Sequence, residues 1–482
     1  MIIAMRRVLL LSVLTATPFL GAVAADDLSS AALMTGIQTW AHPLDTSWLK
    51  GVTDREAISY RLNEEMTFTL TLEGLSGELE PGVWSLDWKR TGDDGQTEVG
   101  RVPLTDKPFV YKTRLGKPGF VRLEAFVVDK DGKRFKKSFT GDTTTPEGRE
   151  AANRFERQPK EVFFDGGAGV EIDTLQALPE PKDFDAFWAQ RRARLANLPI
   201  VADVKPARSN ENGVCYAVSV NCAGGMPSTF YMSVPAKCAK GVKVPALFES
   251  WGYSGNRRPY VIDPDPDRIC VNFNPHGFEL GREDEYYREY YRAISGGRGV
   301  LGAETADKPQ WPVSYAFDID KNSQRDFAYF SGMTWRLMRC LQYVKSRPVW
   351  DGVNLMACGG SLGGLQTILA AGRDPDVNEA EASIPWCCDI GGETLGRNRG
   401  GWFVRGTALG YYDPVNIAKR IPKTCHVVIS RAGLGDYVCP PSGVAILWNN
   451  MTCPKKIVWV QGSQHGYVPP EAYDGRDIVC EK

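Results

Sequence analysis

The sequence predicts an α/β chain whose mostly parallel sheet carries helices on both faces, preceded by a small all-β sandwich of immunoglobulin-like type. Three observations predict it. Residues 30–145 alternate apolar and polar side chains at the two-residue period of half-buried strands and show no helical pattern. From about residue 179 onward, short apolar runs alternate with stretches of helical length, as they do when helices cover a parallel sheet. The 12 cysteines all lie between Cys215 and Cys480, an asymmetry that points to two parts of different origin.

Composition sets the bounds. The 482 residues, 43% of them hydrophobic, suffice for two or three domains and a large core. Lys+Arg 57 against Asp+Glu 58 leaves a net charge of -1, so neither nucleic acid nor an anionic membrane surface is expected as a partner. At the N-terminus, Arg6 and Arg7 precede an apolar stretch, Val8 to Leu20, and then Ala22-Val23-Ala24. This is the layout of a secretory signal peptide over residues 1–25, cleaved near Ala24 or Ala25, which predicts a secreted or periplasmic protein. The apolar core is short for a membrane anchor and contains Pro18, and no later run is long enough to span, so no membrane insertion is expected after processing.

Each element follows in order. Met66, Phe68, Leu70 and Leu72 alternate with threonines, a half-buried strand, and Asp131-Gly132 between two further runs signals a hairpin. Trp40, Trp48, Trp84 and Trp88 read as core or interface residues, with glycan binding as the alternative. Residues 146–178 read as a linker, and 179–482 as the second unit. There a helix follows Asp183 or Asp185 as caps, and strands are expected near Ser250 and across "RICVNFNPHG". A long helix ends before Pro348. Then come strand 353–358, helix 362–371, strand 380–384, strand 426–430, helix 442–448 and strand 456–460. Residues 257–321 make a long connection of the kind that serves as lid or substrate wall. Its Tyr286, Tyr287, Tyr290 and Tyr291 recur at helical spacing; stacking on sugars, packing on the core and packing on a second subunit all stay open.

The chemistry centres on "CGGSLGG". Ser361 lies in Gly-x-Ser-x-Gly between a strand and a helix, the context of a nucleophile elbow, where the turn is too tight for side chains at the flanking positions. A serine nucleophile needs a base and an orienting acid, which follow it in the order acid, then histidine. Of the four histidines, His42, His276, His426 and His465, only the last two follow Ser361. His426 opens an apolar run, whereas His465 sits in the loop after the last strand, so His465 is the base. Asp436, 29 residues earlier, is the preferred acid and Asp389 the runner-up. Backbone oxyanion donors are expected from Leu362 and from the "WGYSG" loop, where Tyr253 lies between Gly252 and Gly255. Trp251, His276 and Trp386 are candidate substrate contacts.

These residues resemble the acetyl xylan esterase and cephalosporin C deacetylase family, carbohydrate esterase family seven, of the α/β-hydrolase superfamily. The resemblance runs from Pro179 to Pro469 and rests on "PEPKDFDAFW", "WGYSG", "VKSRPVWDGVNLMACGGSLGG" and above all "GLGDYVCPPSG" before "QHG". It implies an α/β-hydrolase fold and release of acetyl groups from sugar esters through an acetyl-serine, with neither metal nor cofactor. It supports Asp436 as acid and Tyr253 with Leu362 as oxyanion donors. Leu362, Asn274-Pro275-His276-Gly277 and Gly466 depart from the family's usual residues, so neither a particular carbohydrate nor the family's hexamer carries over, and a homo-oligomer stays open as a partner. Two alternatives stand beside this reading. One is a serine peptidase of the prolyl oligopeptidase type, opposed by the small, repeat-free front region. The other is a carbohydrate-binding protein on a lapsed hydrolase scaffold, opposed by the intact Ser361, Asp436 and His465. The cysteines form no metal-ligand pattern and read as buried small apolar residues, with one or two disulfides allowed by export.

Overall fold

The computed structural model describes residues 48–73, 79, 83–156, 160–253, 259–296, 314–469 and 478–482. Residues 1–25, Trp40, Gly255 and part of the long connection lie outside these.

Seven strands build the front sandwich. Strands β1 (Trp48–Thr53), β2 (Met66–Glu73) and β5 (Phe109–Thr113) form one antiparallel sheet in the order β1-β2-β5. Strands β3 (Ser85–Gly92), β4 (Glu98–Pro103), β6 (Gly119–Val128) and β7 (Phe163–Val170) form the other, in the order β4-β3-β6-β7. The period-two pattern turns Met66, Phe68 and Leu70 of β2 and Val121, Leu123, Ala125 and Val127 of β6 into one shared core.

Two expectations for this region are corrected. The stretch 146–178 is not a linker, because it contains helix α1 (Pro146–Glu156) and strand β7, which pairs with β6 from Gly119↔Val170 to Phe126↔Phe163. Every residue of "FFDGGAGV" is buried, so it has no polar face to alternate, and its glycines lower its strand signal. The hairpin after β6 is also shorter than expected. The chain reverses between Asp129 and Lys133, but its returning arm makes only isolated bridges, because β3 and β7 already occupy both edges of β6.

The second unit is built on a ten-stranded sheet, ordered β17-β16-β15-β14-β13-β11-β12-β10-β9-β8. Its central strands β11 (Val244–Ser250), β12 (Ile269–Asn274), β13 (Trp350–Gly360), β14 (Glu379–Ser383), β15 (His426–Gly433) and β16 (Lys455–Val460) are parallel. Antiparallel strands β8 (Ala202–Asn210), β9 (Gly213–Val220) and β10 (Ser228–Pro235) extend one side, and β17 (Ile478–Glu481) the other. Strand β8 is exposed along its whole length, so no burial pattern marks it in the sequence.

The longer helices here are α2 (Phe184–Ala196), α3 (Asp284–Ile294), α4 (Tyr329–Lys345), α5 (Leu362–Arg373) and α6 (Pro441–Asn450). Asp183 does precede α2, yet its side chain makes no cap bond and instead takes bonds from Tyr411 and Arg325. Asp185 pairs with Arg420 at 2.8 Å. Among the tyrosines of α3, Tyr287 and Tyr291 are buried in the core, and the half-buried Tyr286 and Tyr290 pack against it. All 12 cysteines are free thiols in this structure, and nine of them are buried.

Candidate active site

Strand β13 delivers Ser361 to the C-terminal edge of the sheet, and α5 begins at the next residue. Ser361 has φ 59 and ψ -118, a conformation that costs a non-glycine residue about 1–3 kcal/mol unless its surroundings impose it. They do. Its N–H donates to Ser383 O at 2.9 Å, and its carbonyl accepts from Trp386 N and Leu365 N at 3.0 Å each. Close approach also explains the glycines. A Cβ at Gly363 would lie 2.5 Å from Ser250 O, and one at Gly359 2.6 Å from Ser250 Oγ. Gly360, next to the serine, has no such neighbour inside 3.8 Å, so the tightness expected there belongs to Gly359 and Gly363.

The expected base and acid, His465 and Asp436, lie in the loops after β16 and β15. His465 Nδ1 donates to Asp436 Oδ2 at 2.9 Å, while Oδ1 accepts from the amides of Val438 at 3.0 Å and Cys439 at 2.9 Å. Three donors therefore hold a fully buried carboxylate, and the tautomer it imposes leaves His465 Nε2 free to take a proton. The two halves of the site are tied together at the strand ends. Ile384 N donates to Arg431 O at 2.8 Å, and the Arg431 guanidinium donates to His465 O at 2.9 Å. Asp389, the runner-up acid, is buried against Arg397 and Arg399, and none of the described histidines is bonded to it. His426 opens β15, at the opposite edge of the sheet.

The expected oxyanion donors flank the serine. Leu362 is the first residue of α5, so its amide is one of the helix's unpaired N-terminal donors. A Cβ on Gly252 would lie 3.9 Å from Ser361 Cβ, which places the chain entering Tyr253 directly over the nucleophile. The Tyr253 ring is fixed in an aromatic wall, 4.4 Å from Tyr315 and 5.1 Å from Trp386, with Phe317 and Trp402 completing it. Sequence reasoning missed Phe317 and Trp402; the aromatic pair in the glycine-rich "GGWFVRG" was the available signal.

The three candidate substrate contacts divide. Trp386 backs the nucleophile, donating its amide to Ser361 O and its indole N–H to Trp402 O at 3.0 Å. Trp251 is a core residue whose indole N–H is taken up by Asn272. His276 is an interior residue too. It is buried among Phe278, Tyr291, Tyr315 and Tyr329, and burial, helped by the Arg336 charge, holds its pKa far below the usual value and keeps it neutral. Cys439 lies beside the pair, its Sγ 3.7 Å from His465 Nδ1. With Asp436 and His465 it forms the cluster of metal-ligating side chains found among the described residues. Its thiol donates to Ile384 O at 3.1 Å, and burial raises its pKa well above 9, so the set is chemically an acid–base pair beside a protonated thiol.

The model of the acetyl xylan esterase (AXE1) family matches residues 172–262 and 405–476, segments that contain Tyr253, Asp436 and His465. The resemblance is to the acetyl xylan esterases. The acetyl esterase Axe7A of Xylanibacter ruminicola is 28% identical over 304 residues, which are 59% of this chain and 63% of that protein. The chain thus spans less than two thirds of that relative's length. Among solved structures, acetyl xylan esterase 1 from Thermoanaerobacterium sp. JW/SL YS485 aligns at TM-score 0.44 and 18% identity over 61% of this chain and 92% of its own. That from Paenibacillus sp. R4 aligns at TM-score 0.43 and 20% identity over 61% and 93%.

Proposed function

We propose that this chain is an exported serine carbohydrate esterase that removes acetyl groups from acetylated xylan or xylo-oligosaccharides through an acetyl-serine intermediate. The observation that carries it is the strained Ser361 at a strand–helix junction, on the edge where a buried carboxylate orients His465. In the first half-reaction Ser361 Oγ attacks the acetyl carbonyl while His465 Nε2 takes its proton. The amides of Leu362 and Tyr253 receive the oxyanion, where losing one donor costs about 3 kcal/mol. His465 then protonates the departing sugar oxygen. Water repeats the sequence, and acetate leaves. The names of the matched family and of the Xylanibacter relative support acetyl esters as substrates. The pattern of residues 1–25 supports export.

The deciding experiment compares acetate release from acetylated xylan and from p-nitrophenyl acetate by the wild type and Ser361→Ala. The expected outcome is release by the wild type that the variant loses by several orders of magnitude. Release that persists in the variant, or is absent from both, overturns the reading. Peptidase activity on aminoacyl-proline anilides would replace it with the prolyl oligopeptidase class.

A further inference from the structure

We propose that the front sandwich is a working part of the active site, in which Asp165, gripped by Arg122, acts through Gln464 as a positioning residue for His465. The proposal rests on the esterase reading of that site and gives its β-sandwich a role.

The contacts converge on both catalytic loops. Asp165, on β7, has a fully buried side chain. Its Oδ1 accepts from Arg122 Nε at 2.8 Å, and its Oδ2 accepts from Arg122 Nη2 at 2.6 Å and from Gln464 Nε2 at 2.8 Å. Gln464 is the residue immediately before the base. Three residues earlier, Gln461 exchanges both of its amide bonds with the Gly167 backbone, accepting at 2.9 Å and donating at 2.8 Å. Two residues after the base, the Tyr467 ring sits 5.1 Å from Phe163. The loop that carries His465 is thereby sewn to β7 on both sides of the histidine.

The acid loop is held by the same strand. Gly435, which precedes Asp436, packs so closely on β7 that a Cβ there would lie 1.9 Å from Asp165 O. Tyr437, which follows it, lies under the Arg122 guanidinium at 4.4 Å. A charged pair with so little exposure is costly to bury and is retained where its geometry sets a register. Here the register is that of two loops whose 2.9 Å contact defines the base. The glycines of "FFDGGAG" fit the same account: a Cβ on Gly166 would meet Gln461 Oε1 at 2.2 Å, and one on Gly167 would meet Val121 O at 2.5 Å.

Gln464→Ala removes one bond from Asp165 and little packing, while Asp165→Asn keeps the shape and removes the charge that fixes Arg122. Both are compared with wild type by p-nitrophenyl acetate kinetics across pH and by the downfield proton resonance of His465 Nδ1–H; thermal unfolding identifies a variant that has simply not folded. The expected result is a 10- to 100-fold fall in kcat with KM changed less than threefold. The acidic limb of the pH–rate profile should shift and the Nδ1 resonance broaden or move. Gln464→Glu, which sets a like charge against Asp165, should be worse than Gln464→Ala. A folded Gln464→Ala with wild-type kcat, pH profile and resonance overturns the proposal. If the wild type shows no Ser361-dependent release, the esterase reading has failed instead, and the Nδ1 resonance alone then decides whether the sandwich positions the histidine.

Discussion

Asp436 shows how one residue's surroundings set its task. It accepts from His465 on one oxygen and from two backbone amides on the other, so it is held as an acceptor with a fixed direction. Asp436→Asn should preserve the fold yet present an amide where an acceptor is needed, letting the imidazole settle in the wrong tautomer. A loss of about four orders of magnitude in kcat is expected, as in serine hydrolases that use such an acid. A variant within tenfold of wild type in steady-state assays would show that another group orients His465. Glu381 is the opposite case. It is buried on β14, no described residue hydrogen-bonds either of its oxygens, and burial pushes its pKa up to about 7. Between pH 4.5 and about 7 the folded chain therefore holds a proton that the unfolded chain releases, and stability falls as pH rises through that window. Glu381→Gln removes the effect, which is at most roughly 3 kcal/mol. Its melting temperature should exceed that of the wild type by more at pH 8 than at pH 5. An equal gap at both would refute the assignment.

At the scale of elements, the junction of β13 and α5 separates two kinds of glycine. Gly363→Ala drives a methyl onto the Ser250 carbonyl, whereas Gly360→Ala meets no atom within 3.8 Å. The first should destabilise by about 1–3 kcal/mol, the usual cost of overpacking, and the second by much less; chemical denaturation of the two variants measures the difference. The parallel strands, the strand–helix junction at Ser361 and the meeting of Asp436 with His465 were legible because their signals are local: a β-run, a glycine cluster, a helix start and the order of acid before histidine. The elements that were missed or misread lack such signals. Strand β8 is exposed throughout, and β7 is buried throughout and rich in glycine, so neither alternates. The substrate side was equally hidden. Trp251 and Trp386 are both buried tryptophans, and only the fold puts one against Asn272 and the other behind the nucleophile. Nothing in the local sequence around His276 announces that four aromatic rings enclose it.

For the whole molecule, the sandwich keeps its own core but packs against the core of the sheet behind the site. Phe120 of β6 packs 5.7 Å from Trp459 of β16, and Ala57, Ile58 and Phe120 join the larger core. Asp93, buried at the end of β3, accepts from Asn398 N at 2.7 Å, while Asn398 donates its side-chain amide to Thr91 at 2.9 Å. That anchors the loop leading to Trp402, so the aromatic wall near Ser361 also leans on the sandwich. A linker between independent domains would be polar and crossed by few contacts; β7 is instead buried on both faces. Unfolding should accordingly be a single cooperative transition, with tryptophan fluorescence, far-UV circular dichroism and loss of esterase activity coinciding. A chain truncated to begin at residue 171 would expose the faces of Phe120's and β7's partners, including Leu434 and Trp459, and should be recovered aggregated or binding a hydrophobic dye. A soluble truncated chain with wild-type circular dichroism and activity would show instead that the sheet behind the site folds without its neighbour.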